Sequence, residues 1–262
     1  MFDSHCHPTD ISDPVEIIEQ AIRSGLRSLL ACGYNGDANL KVESLHTRLS
    51  ALPIAVGIHP WYADESLETL RSQLLRSNAV AIGECGLDAT HTQLMPPLGV
   101  QCHAFEYQLE LAKNMLMPVT VHSRKAVARV YEIVEGFGSV RGVLHAFAGS
   151  YEQAKRFIER GWLIGIGGAV TRVGANRIRS LAQKIPLSSI ALETDAPAIG
   201  MQDVPPPHVR PAHLHRVVEA IAELRDTSRE QVVAVTNENV DRLFGFHVTR
   251  GLATSQGMHS DD

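Results

Sequence analysis

Phe2-Asp3-Ser4-His5-Cys6-His7 opens a chain in which short apolar segments alternate with helical patterns. Residues i and i+2 of a strand point to the same side, so His5 and His7 can present both imidazoles to one space. A lone His-x-His motif is a weak signal, because two histidines on one strand are often ordinary hydrogen-bonded side chains. Here further His, Glu and Asp residues recur at the ends of later predicted strands, as far as Asp195. The pattern predicts a metal site.

The predicted strands are short and continuously apolar, which is typical of parallel strands covered on both faces. They span residues 1–5, 27–32, 54–58, 79–85, 118–122, 142–147, 162–167 and 189–194. Amphipathic patterns lie between them, the longest over residues 99–116. This alternation predicts an α/β fold, a (β/α)8 barrel of the TIM type.

A doubly wound open sheet is the structural alternative. Polar residues end six of the predicted strands, and only a closed barrel brings that many strand ends to one mouth. We therefore expect one barrel domain over residues 1–248. The tail at 249–262 lacks apolar periodicity, and we expect it to be disordered.

Composition is ordinary for a globular protein with a full core: 262 residues, 44% hydrophobic and 20% charged. The net charge of −5 argues against a broad basic surface for nucleic acid, although a local patch or a metal ion could still hold phosphate. The four cysteines show no CxxC spacing, and the sequence has no signal peptide or long apolar run. We expect a cytoplasmic monomer with reduced thiols and no membrane contact.

Four imidazoles and two carboxylates form the candidate metal set: His5, His7, Glu84, His122, His145 and Asp195. They are too many for one tetrahedral ion and suit two divalent ions, with Zn, Mn, Co, Ni or Mg as candidates. For single members the alternatives are a salt bridge at Glu84 and an ordinary core histidine at His122 or His145. Two adjacent ions activate a shared water and clamp a phosphoryl displacement, so the set predicts hydrolysis.

The two carboxylates are the predicted catalytic groups. We expect Asp195 to bind a metal and accept the proton of the attacking water, and Glu84 to bridge the ions. His59 and Arg124 are candidate contacts to a substrate phosphate, although a backbone cap and a surface ion pair are the respective alternatives. Glu193 is expected to orient the metal ligands without binding the metals itself.

Several other polar residues are weaker candidates. Asp88 and His91 follow predicted strand four and could line the site, whereas Cys6 and Cys85 should face away from it. Six further histidines are expected not to be ligands: His103, His208, His213, His215, His247 and His259.

Five motifs carry a resemblance to a known family: Asp3-Ser4-His5-Cys6-His7, Gly57-Ile58-His59-Pro60, Gly83-Glu84-Cys85-Gly86-Leu87-Asp88, His145-Ala146-Phe147-Ala148-Gly149-Ser150 and Glu193-Thr194-Asp195-Ala196-Pro197. Together they resemble the TatD family of metal-dependent hydrolases, and the resemblance covers nearly the whole chain. It implies a deoxyribonuclease that removes nucleotides from the 3′ end of single-stranded DNA with the help of divalent metal. The ligand pattern of the family falls on the six residues of the candidate metal set.

The chain departs from the family pattern at two places. Thr9 stands where the family often has an aspartate. Pro205-Pro206-Pro207-His208-Val209-Arg210-Pro211 replaces the usual Arg-Gly-Lys-x-Asn-x-Pro loop, which should touch substrate. We therefore expect a divergent member with the metal centre of the family and a substrate preference of its own.

Two other classes of function compete with a nuclease. An amidohydrolase acting on a small cyclic amide, lactone or phosphoester would share the barrel, but many such enzymes bridge their metals with a carboxylated lysine. Predicted strand four offers Glu84 and no lysine, which favours the nuclease. The third class is a metal-stabilised scaffold that binds a partner protein, and the complete ligand set argues against it.

Overall fold

A computed structural model describes residues 1–90 and 94–246 of the chain. The predicted tail and the histidines at 91, 247 and 259 lie outside the described residues. Eight parallel strands follow one another around a single sheet in chain order. They are β1 (Phe2–Cys6), β2 (Ser28–Cys32), β3 (Ile54–Val56), β4 (Ala81–Asp88), β5 (Val119–Arg124), β6 (Gly142–Leu144), β7 (Leu163–Ile166) and β8 (Ile190–Leu192).

Helices alternate with these strands, which confirms the (β/α)8 barrel. They are α1 (Pro14–Arg23), α2 (Gly36–Arg48), α3 (Leu67–Arg76), α4 (Leu98–Met115), α5 (Val127–Glu135), α6 (Tyr151–Ile158), α7 (Asn176–Lys184), α8 (Leu214–Arg225) and α9 (Arg229–Phe244). Local sequence sets their ends: the Ser150 hydroxyl accepts a hydrogen bond from the Gln153 amide at the start of α6, forming a capping box. Across residues 1–90 and 94–246, no helix combines the length and apolar character needed to cross a membrane.

Alternate residues of the strands pack into two different clusters. On β2, Leu29 and Ala31 belong to the larger cluster with the helices, whereas Leu30 and Cys32 belong to the smaller one. Successive side chains of a strand point to opposite faces, so the smaller cluster lines the barrel interior. Alanines supply much of this lining: Ala55, Ala81 and Ala191. Small side chains leave room at the axis for the larger polar groups nearer the mouth.

The two ends of the sheet are joined through a buried carboxylate. Asp3 of β1 accepts hydrogen bonds from the backbone amide of Thr194 at 2.9 Å and from its hydroxyl at 2.5 Å. The amide of Asp195 donates to the carbonyl of His5 at 2.9 Å. Burial raises the pKa of Asp3 to about 7. These bonds fix the segment after β8 against β1, where the first motif lies.

Two predicted strands extend further than expected. β4 continues to Asp88 and β5 to Arg124, so Glu84 and His122 lie within strands and not at their ends. The pairing of β4 with β5 is irregular between Ile82 and Cys85, immediately around Glu84. Such a bulge redirects a side chain without ending the strand, which is why the glutamate still reaches the barrel mouth.

Candidate metal centre

Two histidines of the first motif aim their ring nitrogens at each other. The Nε2 atoms of His5 and His7 are 3.2 Å apart. His5 Nδ1 lies 2.9 Å from the Thr120 hydroxyl, and His7 Nδ1 lies 3.0 Å from the carbonyl oxygen of Cys32. A carbonyl only accepts hydrogen bonds, so His7 Nδ1 carries the hydrogen and neutral His7 presents a lone pair on Nε2. Proteins fix imidazoles as metal ligands in this way.

Glu84 stands between two groups of imidazoles. Its Oε2 atom is 3.4 Å from His5 Nε2 and 3.2 Å from His7 Nε2. Its Oε1 atom is 2.8 Å from His145 Nε2 and 3.1 Å from His122 Nδ1. One carboxylate therefore faces two separate sets of nitrogen donors, the arrangement needed to bridge two cations.

Asp195 completes the group formed by His5 and His7. Its buried Oδ1 atom is 3.5 Å from His7 Nε2 and 3.8 Å from His5 Nε2, and it has no hydrogen-bond partner. Donors around a tetrahedral zinc ion lie about 3.4 Å apart, given bonds of about 2.0–2.1 Å. A buried carboxylate oxygen that no hydrogen satisfies, in a donor set with this spacing, fits a divalent cation.

His59 lies at the same place but presents a different atom. Its Nδ1 accepts a hydrogen bond from the amide of Trp61 at 3.2 Å, and its Nε2 is 3.5 Å from Glu84 Oε1. Burial lowers the pKa of His59 to about 3, so the ring is neutral and its hydrogen resides on Nε2. His59 is therefore a hydrogen-bond donor toward the centre. It is also a backbone cap, which was the alternative role, and its contact with substrate phosphate stays a prediction.

Glycines allow β4 to carry Glu84 close to β5. Gly83 and Gly86 have φ values of 146° and 128°, which side-chain-bearing residues rarely adopt. A Cβ atom on Gly86 would lie 2.1 Å from the carbonyl oxygen of His122, and one on Gly83 would lie 2.5 Å from atoms of Thr120. The Gly-Glu-x-Gly spacing thus permits the backbone approach that places Glu84 beside His122.

Asp88 contacts the ring nitrogen of His122 that faces away from Glu84. Its Oδ2 atom is 3.4 Å from His122 Nε2 and accepts a hydrogen bond from Trp61 Nε1 at 3.0 Å. The hydroxyl of Thr90 donates to its other oxygen at 2.6 Å. Burial alone would raise the pKa of Asp88, but contacts with His122, Thr90 and Trp61 hold it well below its usual value. The ionised carboxylate orients His122 so that Nδ1 faces Glu84.

Glu193 fixes the backbone next to His145. One carboxyl oxygen accepts a hydrogen bond from the amide of Ala146 at 2.5 Å, directly after His145. Ala146 has a φ of 44°, so this bond stabilises a left-handed backbone that redirects the chain. Burial raises the pKa of Glu193 to about 8. The geometry matches the orienting role expected for this residue.

Burial and neighbouring charges together set the pKa values of the groups in the centre. Burial would raise the pKa of Glu84, yet the neighbouring His145 and His59 hold it well below its usual value. Burial would lower the pKa of His145, yet Glu84 raises it to about 9. Burial lowers the pKa of His5 to about 4, with the His145 charge acting in the same direction. A cation bound between these imidazoles and carboxylates would displace the protons that the imidazoles otherwise carry.

The donors form the floor of a cleft of about 1070 Å³. Its lining includes four basic side chains: Arg124, Lys125, Arg172 and Arg177. Three aromatic residues also line it: Tyr34, Trp61 and Tyr62. Pro206 of the divergent loop reaches the same cleft. Four basic side chains thus lie where the centre opens, in the same cleft as the carboxylates of Asp10, Glu84 and Asp195.

The structure brings all six residues of the candidate metal set to one place, together with His59. Arg124 is exposed on the cleft wall, and Asp88 contacts His122. Cys6 and Cys85 direct their thiols to backbone carbonyls away from the centre. Sequence reasoning missed Thr120 and the basic residues beyond Arg124. The signal for Thr120 was its position two residues before His122 on the same strand, hence on the same face.

Comparison with known proteins fits this geometry. A family model described as TatD related DNase matches residues 2–245. The chain belongs to the TatD family. It is similar to an uncharacterised metal-dependent hydrolase of Haemophilus influenzae, at 33% identity over 93% of this chain and 98% of that protein. It is also 34% identical to the 3′-5′ ssDNA/RNA exonuclease TatD of Citrobacter rodentium, over 90% of this chain and 93% of the relative.

A solved TatD structure shows the same fold. YjjV, a TatD homologue from Escherichia coli K12, superimposes with a TM-score of 0.87 at 28% identity, covering 94% of this chain and 98% of that one. The fold, the donor clusters and the relatives together make the protein a metal-dependent hydrolase of the TatD family.

Proposed function

We propose that the protein is a 3′-5′ exonuclease that hydrolyses single-stranded DNA with two divalent cations. The observation that carries the proposal is the division of the donors by Glu84, at the floor of a cleft lined by Arg124 and three further basic side chains. His5, His7 and Asp195 would hold one cation, His122 and His145 the other, and Glu84 both. A bound pair of divalent ions lowers the pKa of water and neutralises charge on phosphoryl oxygens.

The protein's own groups handle the proton and the substrate. Asp195, whose Oδ1 would bind a cation, accepts the proton of the attacking water on its other carboxyl oxygen. Burial would raise the pKa of Asp195, but the contact with His7 and the charge of His145 lower it, so the base is ionised near neutral pH. His59 donates its Nε2 hydrogen to a phosphate oxygen, and Arg124 pairs with the phosphate charge.

The alternative is an amidohydrolase acting on a small cyclic amide, lactone or phosphoester. β4, from Ala81 to Asp88, contains no lysine that could be carboxylated, and its Glu84 lies between the two groups of imidazoles. The volume of the cleft and its four basic residues favour an extended anionic substrate over a small neutral ring. We also propose that the protein is cytoplasmic, because all four cysteines are free thiols, and that it acts as a monomer.

The experiment uses 5′-labelled single-stranded DNA and RNA of equal sequence, incubated with the protein and Mg²⁺, Mn²⁺, Co²⁺ or Zn²⁺. An exonuclease shortens linear strands progressively from the 3′ end and leaves circular single strands intact. His5→Ala/His7→Ala protein, which should lose metal, is the negative control. Hydrolysis of dihydropyrimidines or lactones with no attack on either nucleic acid would contradict the proposal and support the amidohydrolase.

A further inference from the structure

A tryptophan is exposed beside the candidate metal centre. Trp61 is 46% exposed and lines the cleft, two residues after His59 in the short 3-10 turn Pro60–Tyr62. Nearly half of its surface is therefore available to a molecule that enters the cleft. The metal donors and phosphate contacts described above leave it without an assigned role.

A hydrogen bond to Asp88 and a contact with the His59 ring fix the orientation of the Trp61 side chain. Its Nε1 donates a hydrogen bond to the buried carboxylate of Asp88 at 3.0 Å. Its ring lies at 89° to that of His59, with 5.1 Å between the centroids. An aromatic side chain held by one polar atom presents a rigid surface and loses little entropy when a ligand covers it. Trp61 is thus organised before any substrate binds.

Further aromatic and basic side chains line the same cleft as Trp61. The rings of Tyr34 and Tyr62 lie 5.8 Å apart, and Tyr34 contacts the His7 ring at 5.4 Å. The Tyr34 hydroxyl donates to Asp10 Oδ1 at 3.1 Å, which fixes this ring as well. Single-stranded nucleic acids bind where aromatic rings stack with bases and basic groups hold the backbone. The cleft that Glu84 lines contains both kinds of group.

We propose that Trp61 is a stacking platform for one base of the nucleic acid substrate, close to the phosphate that is cleaved. This inference rests on the proposed function, because it assigns part of the same substrate. It predicts that the protein recognises bases by their aromatic faces, which every base has, and so binds single strands with little sequence preference.

Fluorescence tests the platform without any need for cleavage. The chain has two tryptophans, and the other one, Trp162, is only 1% exposed. Titration of the metal-loaded protein with a single-stranded phosphorothioate oligonucleotide, which resists cleavage, should quench Trp61, whereas an abasic strand with the same phosphorothioates should not at equal occupancy. Trp61→Phe protein, which keeps only Trp162, should respond to neither strand. Equal quenching by both strands, or by neither, would overturn the platform.

Kinetics separate stacking from the hydrogen bond to Asp88. Oligonucleotides with one abasic residue at each of the last three 3′ positions are compared with the intact strand. For wild type, loss of one base should lower kcat/KM about tenfold, within the range of base stacking on aromatic residues. That ratio should fall to about 1 in Trp61→Ala, because the platform is gone.

Two matched variants make this result decisive. Trp61→Phe keeps an aromatic face but loses the donor to Asp88, so it should retain most of the base dependence even if overall turnover falls. Tyr151→Ala removes a comparably exposed aromatic that does not line the cleft, and it should match wild type. An unchanged ratio in Trp61→Ala would refute the platform. Failure of wild type to release any nucleotide would instead refute the proposed exonuclease, while the fluorescence result would still decide the role of Trp61.

Discussion

Replacing Asp195 with asparagine should slow turnover strongly while leaving the fold and most of the metal in place. Asp195 has a φ of 51°, a left-handed conformation that asparagine adopts readily, so the backbone is not strained. The amide oxygen can occupy the place of Oδ1, 3.5 Å from His7 Nε2, but an amide cannot accept the water proton. General base catalysis contributes about 10²–10⁴ in rate, so kcat should fall by that factor, equivalent to roughly 3–5 kcal/mol.

The assay measures kcat and KM for single-stranded DNA at saturating Mn²⁺, with metal content determined on the same preparation. KM should change little, because the base acts on the water and not on the bound strand. Asp226→Asn is the matched control, since Asp226 also has a positive φ of 49° but is exposed at the C-terminal end of α8. Near-normal turnover of Asp195→Asn protein with full metal content would refute the role of Asp195 and direct the search to His59.

Three other perturbations test the centre and its support. Glu84→Gln should lower metal content at both groups of donors, because it removes the shared charge; unchanged stoichiometry by plasma mass spectrometry would contradict bridging. Metal affinity should rise between pH 6 and 9, by up to about tenfold per pH unit for each displaced proton, because His145, with a pKa of about 9, must lose its proton to bind; calorimetry showing no pH dependence would count against this. Gly86→Ala should destabilise the protein by roughly 2–6 kcal/mol, from strain at φ 128° and the clash with the His122 carbonyl. Gly99→Ala, which meets no atom within 4 Å, is its control, and equal melting temperatures of the two variants would show that the approach of β4 to β5 tolerates a side chain.

Much of the barrel could be predicted because the strands are short apolar runs and polar residues end six of them. That rule failed at β4 and β5, where polar residues such as Glu84 and His122 lie within strands that continue beyond them. The bulge around Glu84 depends on contact with β5, and tertiary contacts leave no periodic trace in the sequence.

The candidate metal ligands were easier to predict than the residues that orient them. Ligands are conspicuous as isolated His, Glu and Asp residues at strand ends, whereas the groups that orient them are ordinary residues far away in sequence. Thr120 meets His5 across 115 positions, and Trp61 meets Asp88 across 27. The double role of His59, as backbone cap and as donor, depends on which ring nitrogen meets Trp61, and only the folded arrangement decides this.

The bond between Asp3 and Thr194 makes assembly of the centre depend on completion of the polypeptide. It joins residues 191 positions apart, and closing a loop of that length costs roughly 5 kcal/mol of chain entropy. Asp195 reaches His5 and His7 only after this closure, so a nascent chain that ends before β8 has His5, His7 and Glu84 but lacks Asp195, the last donor of this cation site. The complete donor set at this position should therefore form only after synthesis of β8. Completion of this donor set separates the incomplete nascent chain from the metal-binding protein.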